Sequence, residues 1–343
     1  MQKEILLTII IPTYNAEKFL EKCLASFLLE DKKRLEQLQV IVVDDGSPDN
    51  SKKIAEQYVK KYPNVFEILR KENGGHGSAI NAGIGCAKGK YFKVIDADDW
   101  VLTNELQKFI EKLEFLDDDA VITDYKTIDI RTNEEVYYHA YPTKAIGRCS
   151  LSEIMSDWIA LNSCMTFHGI SYKTEFYRQK NFILKEKVYY EDQEYATVPM
   201  SYAKSVFFTG VCVYVYRIGD VHQSVAEENQ VKRLSHLEQV IDKILESEKI
   251  PLEGIAYWKK KTAMVITSYY QIALLKSANK KKGRLLVENL NQRLLKKNKA
   301  VYEMVEKKCK VFVLFSYIHL SNAIYDKYAP KIIRLKRKLM GER

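Results

Sequence analysis

The sequence lacks several features that would assign it to a familiar class. Six cysteines are scattered through 343 residues, and no two stand close enough to form a metal knuckle or a redox pair. No stretch reaches the roughly 18 apolar residues of a transmembrane helix; the nearest candidate, Val311–Tyr325, is interrupted by polar side chains. There is no internal repeat and no low-complexity linker. These absences favour a globular protein of the cytoplasm with reduced, mostly structural thiols.

The apolar run at the amino end is too short for a signal peptide. Ile5–Ile11 is followed at once by Pro12, so we expect a buried strand there. Hydrophobic residues make up 46% and charged residues 29% of the chain, a mixture that excludes a disordered or collagen-like protein. The length predicts one large domain with an accessory region, or two domains.

Charge is distributed unevenly along the chain. Residues 1–225 hold 28 basic and 33 acidic side chains, a net charge of −5, whereas residues 226–343 hold 26 and 12, a net of +14; the two sum to +9. A basic segment of this kind predicts a phosphate-bearing partner, on a membrane surface or on nucleic acid.

Strands and helices alternate through the first 100 residues. Short β-branched runs indicate strands, and apolar residues at helical spacing indicate helices. The alternation predicts an α/β fold with a mainly parallel sheet and helices on both faces, which binds ligands at the carboxyl ends of its strands. The expected strands are Ile5–Ile11, Val40–Val43, Val65–Leu69 and Tyr91–Ile95, and the expected helices are Ala16–Leu29, Ser51–Tyr62 and Ser78–Ala87.

The remainder of the chain changes character near residue 225. We interpret 120–225 as the second half of the same domain, so the expected domains are 1–225 and an all-helical C-terminal region over 226–343. Helical patterns within that region cover 230–248, 251–277 and 283–308.

Polar clusters follow the first, second and fourth predicted strands. Each alone is typical of a helix N-cap or a turn, but three clusters at carboxyl ends would converge on one edge of the sheet. The oxygen ligands of the third cluster suit Mg²⁺ or Mn²⁺. The clusters are Pro12-Thr13-Tyr14-Asn15, Asp44-Asp45-Gly46-Ser47 and Asp96-Ala97-Asp98-Asp99.

Three further segments carry candidate functional residues. Asn73–Ser78 is glycine-rich and opens a helix, so its backbone N–H groups can approach a phosphate or ribose. Because a dinucleotide fingerprint would follow the first strand, we do not expect a nicotinamide cofactor. The acids of Tyr190–Glu194 either complement a helix dipole or supply a general base. Arg217–Ser224 is either a solvated loop or a phosphate clamp.

Together these segments resemble the inverting family 2 glycosyltransferases, which have the GT-A fold. The order and combination of the motifs are far more specific than any one of them, and the similarity covers residues 5–225. Bacterial enzymes that build capsule, teichoic acid or other cell-surface glycans look most similar. The matching segments are Thr8–Asn15, Val42–Asp49, Asn73–Gly83, Asp96–Trp100 and Tyr190–Glu194.

The resemblance implies an activity and a role for individual residues. A hexose or N-acetylhexosamine would pass from a nucleotide-sugar, with UDP as the expected nucleotide, to a glycan or lipid-linked acceptor. Asp192 would be the catalytic base, and Glu191 would help to position substrate. Mn²⁺ or Mg²⁺ would bind Asp98, Asp99 and His222. The donor would contact Pro12, Thr13, Tyr14, Asp45 (through the uracil ring), Asn73, Gly75, Asn81, Asp96, Asp98, Arg217 and Ser224.

One departure from the family pattern and two alternative functions accompany this interpretation. Many relatives have Arg-Asn where this chain has Ile80-Asn81, which removes one diphosphate contact. A nucleotidyltransferase would share the acidic metal site, but it would carry a glycine-rich, basic phosphate loop after the first strand, which is absent here. A non-catalytic glycan- or lipid-binding protein on a decayed transferase fold is disfavoured because the carboxylates Asp45, Asp98, Asp99 and Asp192 are intact.

The basic C-terminal region permits two interpretations. Lysines and arginines of 280–299 and 331–338 flank the aromatic-rich run Val311–Ile318. This pattern fits an interfacial helix on anionic lipid at the inner face of the plasma membrane, or a helical bundle with a solvated lysine face. The bundle could also form an oligomer interface. No RNA-binding module appears, so we expect no nucleic-acid partner.

Overall fold

Ten strands pair into one mixed sheet in the computed structural model of the protein, which describes residues 4–140, 147–220, 227–247, 249–318, 323–324 and 327. The strands are β1 (Leu7–Thr13), β2 (Leu38–Asp44), β3 (Phe66–Arg70), β4 (Tyr91–Val94), β5 (Trp100–Val101), β6 (Ala120–Asp129), β7 (Glu135–Tyr138), β8 (Gly147–Cys149), β9 (Ile170–Lys173) and β10 (Val206–Ile218).

The sheet has a parallel half that carries the expected strand exits. Its order is β3-β2-β1-β4-β9-β6-β10-β5, with β7 beside β6 and β8 beside β10. Strands β3, β2, β1 and β4 are mutually parallel, as are β6 and β10. Antiparallel β9 lies between β4 and β6. The predicted α/β class with a mainly parallel sheet is confirmed, and its antiparallel strands make it mixed.

The helices follow the predicted alternation with shifted bounds. The first predicted helix, Ala16–Leu29, is regular over only its central six residues. The helices are α1 (Leu20–Ala25), α2 (Lys32–Leu35), α3 (Ser51–Lys61), α4 (His76–Cys86), α5 (Thr103–Leu113), α6 (Leu151–Ser156), α7 (Trp158–Leu161), α8 (Thr174–Gln179), α9 (Glu191–Thr197), α10 (Glu227–Lys232), α11 (Leu234–Leu245), α12 (Leu252–Gln271), α13 (Lys280–Lys297) and α14 (Lys299–Tyr317), with a 3₁₀ turn at Pro199–Tyr202 and a π turn at Ile272–Lys276.

Hydrophobic side chains fill both faces of the sheet. Ile9 and Ile11 of β1 belong to one buried cluster and Ile10 to the other, because successive strand residues point to opposite faces. Residues of α1, α3 and α5 cover the first face, and residues of α4, α6, α8 and α9 cover the second. Helices on both faces are therefore confirmed, and they leave the strand ends free to carry polar residues.

The chain separates into two compact units. The first comprises Met1–Gln223 and Ser247–Trp258, and the second comprises Ser224–Glu246 and Lys259–Arg343. The described regular structure of the second unit is all helical, as expected. Within the described residues, no helix combines the length and apolar character that crossing a membrane requires.

The helix expected over 283–308 is two helices. Asn298 ends α13, and its side chain accepts a hydrogen bond from the Val301 amide at the start of α14. An asparagine favours such a cap because its side-chain oxygen satisfies an otherwise unpaired N–H group. The break leaves Leu290 and Leu294 of α13, and Val305 of α14, buried in the second unit.

Candidate active site

The carboxyl ends of β1, β2 and β4 lie side by side at one edge of the sheet. Thr13 is in register with Asp44, and the Asp45 amide donates to the Thr13 carbonyl oxygen at 2.9 Å. Strand β4, which pairs with β1 on its other side, leads directly into Asp96. The structure thus gathers the three polar clusters at one edge.

Asp45 holds the glycine-rich turn. Its carboxylate accepts hydrogen bonds from Lys71 Nζ (2.8 Å), the Gly74 amide (2.9 Å) and the Gly75 amide (2.8 Å). The residue is only 3% exposed. Sequence reasoning missed these contacts, because nothing local to Asp45 indicates Lys71 or the glycines as partners. Its role as the acceptor for uracil stays a prediction.

Four more residues predicted to contact the donor lie at the end of β1 or in the glycine-rich turn. Pro12 and Thr13 are buried at the end of β1, and Tyr14 projects into solvent with 55% of its surface exposed. Asn73 donates from its side chain to the Asp45 carbonyl oxygen at 3.0 Å. The residues predicted to contact the donor therefore include one exposed aromatic ring, Tyr14, next to the buried end of β1.

The acidic turn after β4 is folded around Asp99. One Asp99 oxygen accepts from the Tyr214 hydroxyl at 2.6 Å and the other from the Arg217 amide at 2.7 Å. The Asp99 amide donates to the Asp96 carbonyl oxygen. Asp99 is buried, whereas the Asp98 side chain is 35% exposed. Asp98 is thus the more accessible carboxylate of the two.

Like charges crowd this turn and shift its acidities. Burial and the neighbouring Asp96 raise the pKa of Asp98. Burial, with Asp98 and Asp96, raises the pKa of Asp99 well above its usual value. Carboxylates that repel one another in this way are stabilised by a nearby cation.

His76 bridges the acidic turn and a second acidic segment. Its Nδ1 lies 2.6 Å from Glu191 Oε1, and its Nε2 lies 2.8 Å from Asp96 Oδ1. Burial opposes protonation, but the two carboxylates outweigh it and raise the pKa of His76 well above its usual value. Burial likewise works to raise the pKa of Asp96, yet His76 holds it below its ordinary value. Sequence analysis did not single out His76.

Asp192 lies next to this bridge, in the first turn of α9. Burial, followed by the charge of Glu191, raises the pKa of Asp192 to about 6, against the opposing effects of Gln193 and His76. Gln193 donates to its carboxylate at 2.7 Å. A carboxylate that titrates close to neutral pH is suited to general-base catalysis.

Asn81 fastens the loop that leads to Asp192. Its side-chain amide donates to the Leu184 carbonyl oxygen and its oxygen accepts from the Leu184 amide, both at 2.9 Å. A weaker contact joins it to Glu186 at 3.3 Å. In this structure Asn81 ties α4 to the loop that precedes α9; its predicted contact with the donor stays a prediction.

The glycine-rich turn and this loop pack too closely for side chains. Gly75 has φ +85°, and a Cβ at Gly77 would lie 2.5 Å from the Lys185 carbonyl oxygen and 3.2 Å from Glu191 Cγ. The absence of a side chain at Gly77 therefore allows this part of the chain to lie directly against Lys185 and Glu191.

Replacing Gly77 by alanine should push that loop away. We expect Gly77→Ala to lower the free energy of unfolding by about 1–3 kcal/mol, the usual range for overpacking, measured by urea denaturation. Gly85→Ala on the same helix is the matched control, since a Cβ there meets nothing within 4 Å. Equal stability of the two variants would contradict the close approach.

Arg217 brings positive charge to the acidic turn. Its guanidinium lies 3.6 Å from Asp98 Oδ2 and 3.3 Å from Asp220 Oδ2, and it stacks over the Phe19 ring at 4.2 Å. The other two residues predicted in this segment, His222 and Ser224, lie outside the described residues.

His168 adds a candidate metal ligand that sequence analysis missed. One ligand atom each from His168, Asp96 and Asp99 lie within 4.8 Å of one another. Burial lowers the pKa of His168 to about 4, and its Nδ1 is buried without a hydrogen-bond partner in the described part of the chain. A neutral imidazole beside carboxylates suits Mn²⁺, so the residues present fit a divalent cation.

Comparison with known families places the chain in one of them. Residues 8–191 match the model of glycosyl transferase family 2. The chain belongs to this family. It is a glycosyltransferase, and the family match spans the strand exits, the glycine-rich turn and the acidic turn.

One curated relative aligns over more than half of the chain. Glycosyltransferase GlyG of Streptococcus pneumoniae is 30% identical over 222 residues, which cover 62% of this chain and 70% of GlyG. Two further curated relatives align over about 110 residues, and the matched region spans 36% and 30% of their length.

Solved structures share the fold. TarS 1-349 of S. aureus, crystallised with UDP-GlcNAc, has a TM-score of 0.67 at 18% identity, with 92% of this chain and 88% of that chain covered. The mannosyltransferase PcManGT of Pyrobaculum calidifontis, crystallised with GDP-Man and Mn²⁺, has a TM-score of 0.52 at 15% identity, covering 92% and 86%.

Proposed function

We propose that this glycosyltransferase moves a hexose or N-acetylhexosamine from a UDP-sugar to a glycan or lipid-linked acceptor, with inversion at the anomeric carbon, in the synthesis of a cell-surface polysaccharide. The observation that carries the proposal is the meeting of the acidic turn and the Glu191–Asp192 segment through His76, at 2.6 and 2.8 Å. A donor site and a base are thereby held together at the strand exits.

Asp192 takes the proton in the proposed reaction. The acceptor hydroxyl oxygen attacks the anomeric carbon, the bond from that carbon to the diphosphate oxygen breaks, and the hydroxyl proton passes to the Asp192 carboxylate. One attack from the face opposite the leaving group inverts the configuration. Glu191, held by His76, positions substrate beside the base.

Asp98 is the leading candidate ligand for the cation, together with Asp99 and His222. The group of ligand atoms from Asp96, Asp99 and His168 adds two further candidate ligands, Asp96 and His168. Asp98 is the most accessible carboxylate of the turn, and burial and charge repulsion already raise its pKa. A bound Mn²⁺ or Mg²⁺ would supply Lewis-acid stabilisation of the departing diphosphate. Arg217, within 3.6 Å of Asp98, supplies a further positive charge at the same place.

The proposal of UDP as the nucleotide rests on the fold shared with TarS, which was crystallised with UDP-GlcNAc, and on the predicted contact of Asp45 with the uracil ring. The test is a panel of nucleotide-sugars with Mn²⁺ and measurement of nucleoside diphosphate release. Release from a UDP-sugar supports the proposal. Pyrophosphate release would indicate nucleotidyl transfer, and binding without turnover of any donor would indicate a non-catalytic protein.

We also propose that the second unit binds the enzyme to the cytoplasmic face of an anionic membrane. Exposed lysines on α13 and α14 accompany exposed apolar residues, including Leu314 at 59% and Tyr317 at 64%. Such a combination favours adsorption to anionic lipid. Flotation with phosphatidylglycerol vesicles at low salt tests this; a protein that stays unbound has a solvated lysine face instead.

The pH dependence of transfer should report Asp192. The base works when deprotonated, so kcat/KM should be constant above its pKa of about 6 and fall roughly tenfold per unit as pH drops below it. Glu191, His76 and Asp96 are the charged groups that face it. The profile is measured with the best UDP-sugar. A kcat/KM that stays constant down to about pH 4.5 would contradict the assignment of Asp192 as the base.

A further inference from the structure

Three segments from distant parts of the sequence meet at the His76 side chain. His76 begins α4, Asp96 follows β4, and Glu191 begins α9. The Glu191 side chain is 6% exposed, and its Oε2 is buried without a hydrogen-bond partner among the described residues. His76 Nδ1, 2.6 Å from Glu191 Oε1, is therefore the hydrogen-bond partner of a carboxylate whose charge burial would otherwise penalise.

The two nitrogens of His76 serve different parts of the site. Nδ1 holds Glu191, the residue that immediately precedes Asp192 in the chain. Nε2 holds Asp96, at the start of the acidic turn. Because a ring is rigid, fixing one carboxylate on each side also fixes the separation of the two segments, and such outer contacts orient the groups that act directly.

We propose that His76 is a positioning residue that couples the Glu191–Asp192 segment, which carries the proposed base, to the acidic turn Asp96–Asp99. Its Nδ1 contact governs the rate of transfer, through the placement of Asp192, and its Nε2 contact governs donor binding, through Asp96. This inference rests on the proposed function for the identity of the base and the donor.

Two conservative replacements separate the two contacts. An asparagine amide can occupy the position of Nδ1, and a glutamine amide that of Nε2, and each keeps one donor. His76→Asn should keep the bond to Glu191 and lose the bond to Asp96, so donor KM should rise about 10-fold or more with kcat little changed. His76→Gln should show the reverse, a kcat lowered about 10–100-fold with KM little changed.

The experiment compares both variants with the wild type, using the best UDP-sugar of the panel and Mn²⁺. His236→Gln, on α11 of the second unit, is the control for loss of a histidine. Opposite changes in kcat and KM support the proposal. If both variants change the same parameter by the same factor, or both stay within about two-fold of the wild type, the proposal is wrong. Thermal unfolding of each variant excludes a general loss of structure as the cause.

A double-mutant cycle tests the Glu191 contact directly. If His76 acts on the rate through Glu191, the double variant His76→Gln/Glu191→Gln should have a kcat close to that of the more impaired single variant. Losses in kcat that add up in the double variant would overturn the proposal. Binding of UDP with Mn²⁺ is measured in parallel, so that the Asp96 contact is tested even if no donor turns over. His76→Asn should weaken that binding and His76→Gln should not. Activity retained by Asp192→Asn would count against the proposed base and against the route from Nδ1 through Asp192, whereas the UDP-binding result would still test the Asp96 contact.

Discussion

Replacing Asp192 by asparagine should lower the rate of sugar transfer by about 10²–10⁴-fold, the usual contribution of a general base. The amide has the same size but cannot accept the proton of the acceptor hydroxyl. Donor binding should survive, because the predicted donor contacts lie in other segments. The measurement is kcat for diphosphate release with acceptor, together with the dissociation constant of UDP by titration calorimetry.

The stability of the variant distinguishes chemistry from folding. Burial and Glu191 raise the pKa of Asp192, so the charged form is already unfavourable there, and a neutral amide should not lower the melting temperature. Asp117→Asn is the matched control, since Asp117 is 74% exposed and pairs with Lys173 at the surface. Near-normal transfer by Asp192→Asn would remove Asp192 from the role of base.

Replacing Asp98 by asparagine should lower kcat/KM by about 10²-fold or more and raise the Mn²⁺ concentration needed for half-maximal activity. The carboxylate is accessible and is predicted to bind the cation, whereas Asp99 is buried and bonded to Tyr214 and Arg217. Calorimetric titration of Mn²⁺ in the presence of UDP provides a readout that does not depend on turnover.

A folded protein with lowered activity is again the expected state. Because burial and Asp96 raise the pKa of Asp98, removing its charge relieves repulsion within the turn. The Asp117→Asn control should retain the wild-type Mn²⁺ dependence. Unchanged Mn²⁺ affinity in Asp98→Asn would shift the metal assignment to Asp96, Asp99 and His168.

The motifs that follow strands could be predicted from the sequence. The parallel half of the sheet follows from β-branched runs such as Val40–Val43, and the polar residues after β1, β2 and β4 follow from where those runs end. Helix bounds were less predictable. The helix expected over 16–29 is regular only at Leu20–Ala25. Asn298 divides a pattern that reads as one helix, because its side chain caps the start of α14.

Contacts between segments that are distant in the sequence could not be predicted from it. No local pattern couples His76 to Glu191 or His168 to Asp96, since these pairs meet only after β4, β9 and α9 take their places around the sheet. The function of Asp45 in holding Gly74 and Gly75 likewise depends on how the turn after β3 folds back over β2.

The sequence by itself determined the α/β class, the glycosyltransferase family and the acidic clusters at the strand exits, because strand periodicity and short motifs are encoded within a few neighbouring residues. The tertiary structure alone decided which carboxylates are buried, which are accessible and which are bridged by His76. Burial and charge spacing set those acidities, and both depend on segments of the first unit that lie far apart in the sequence.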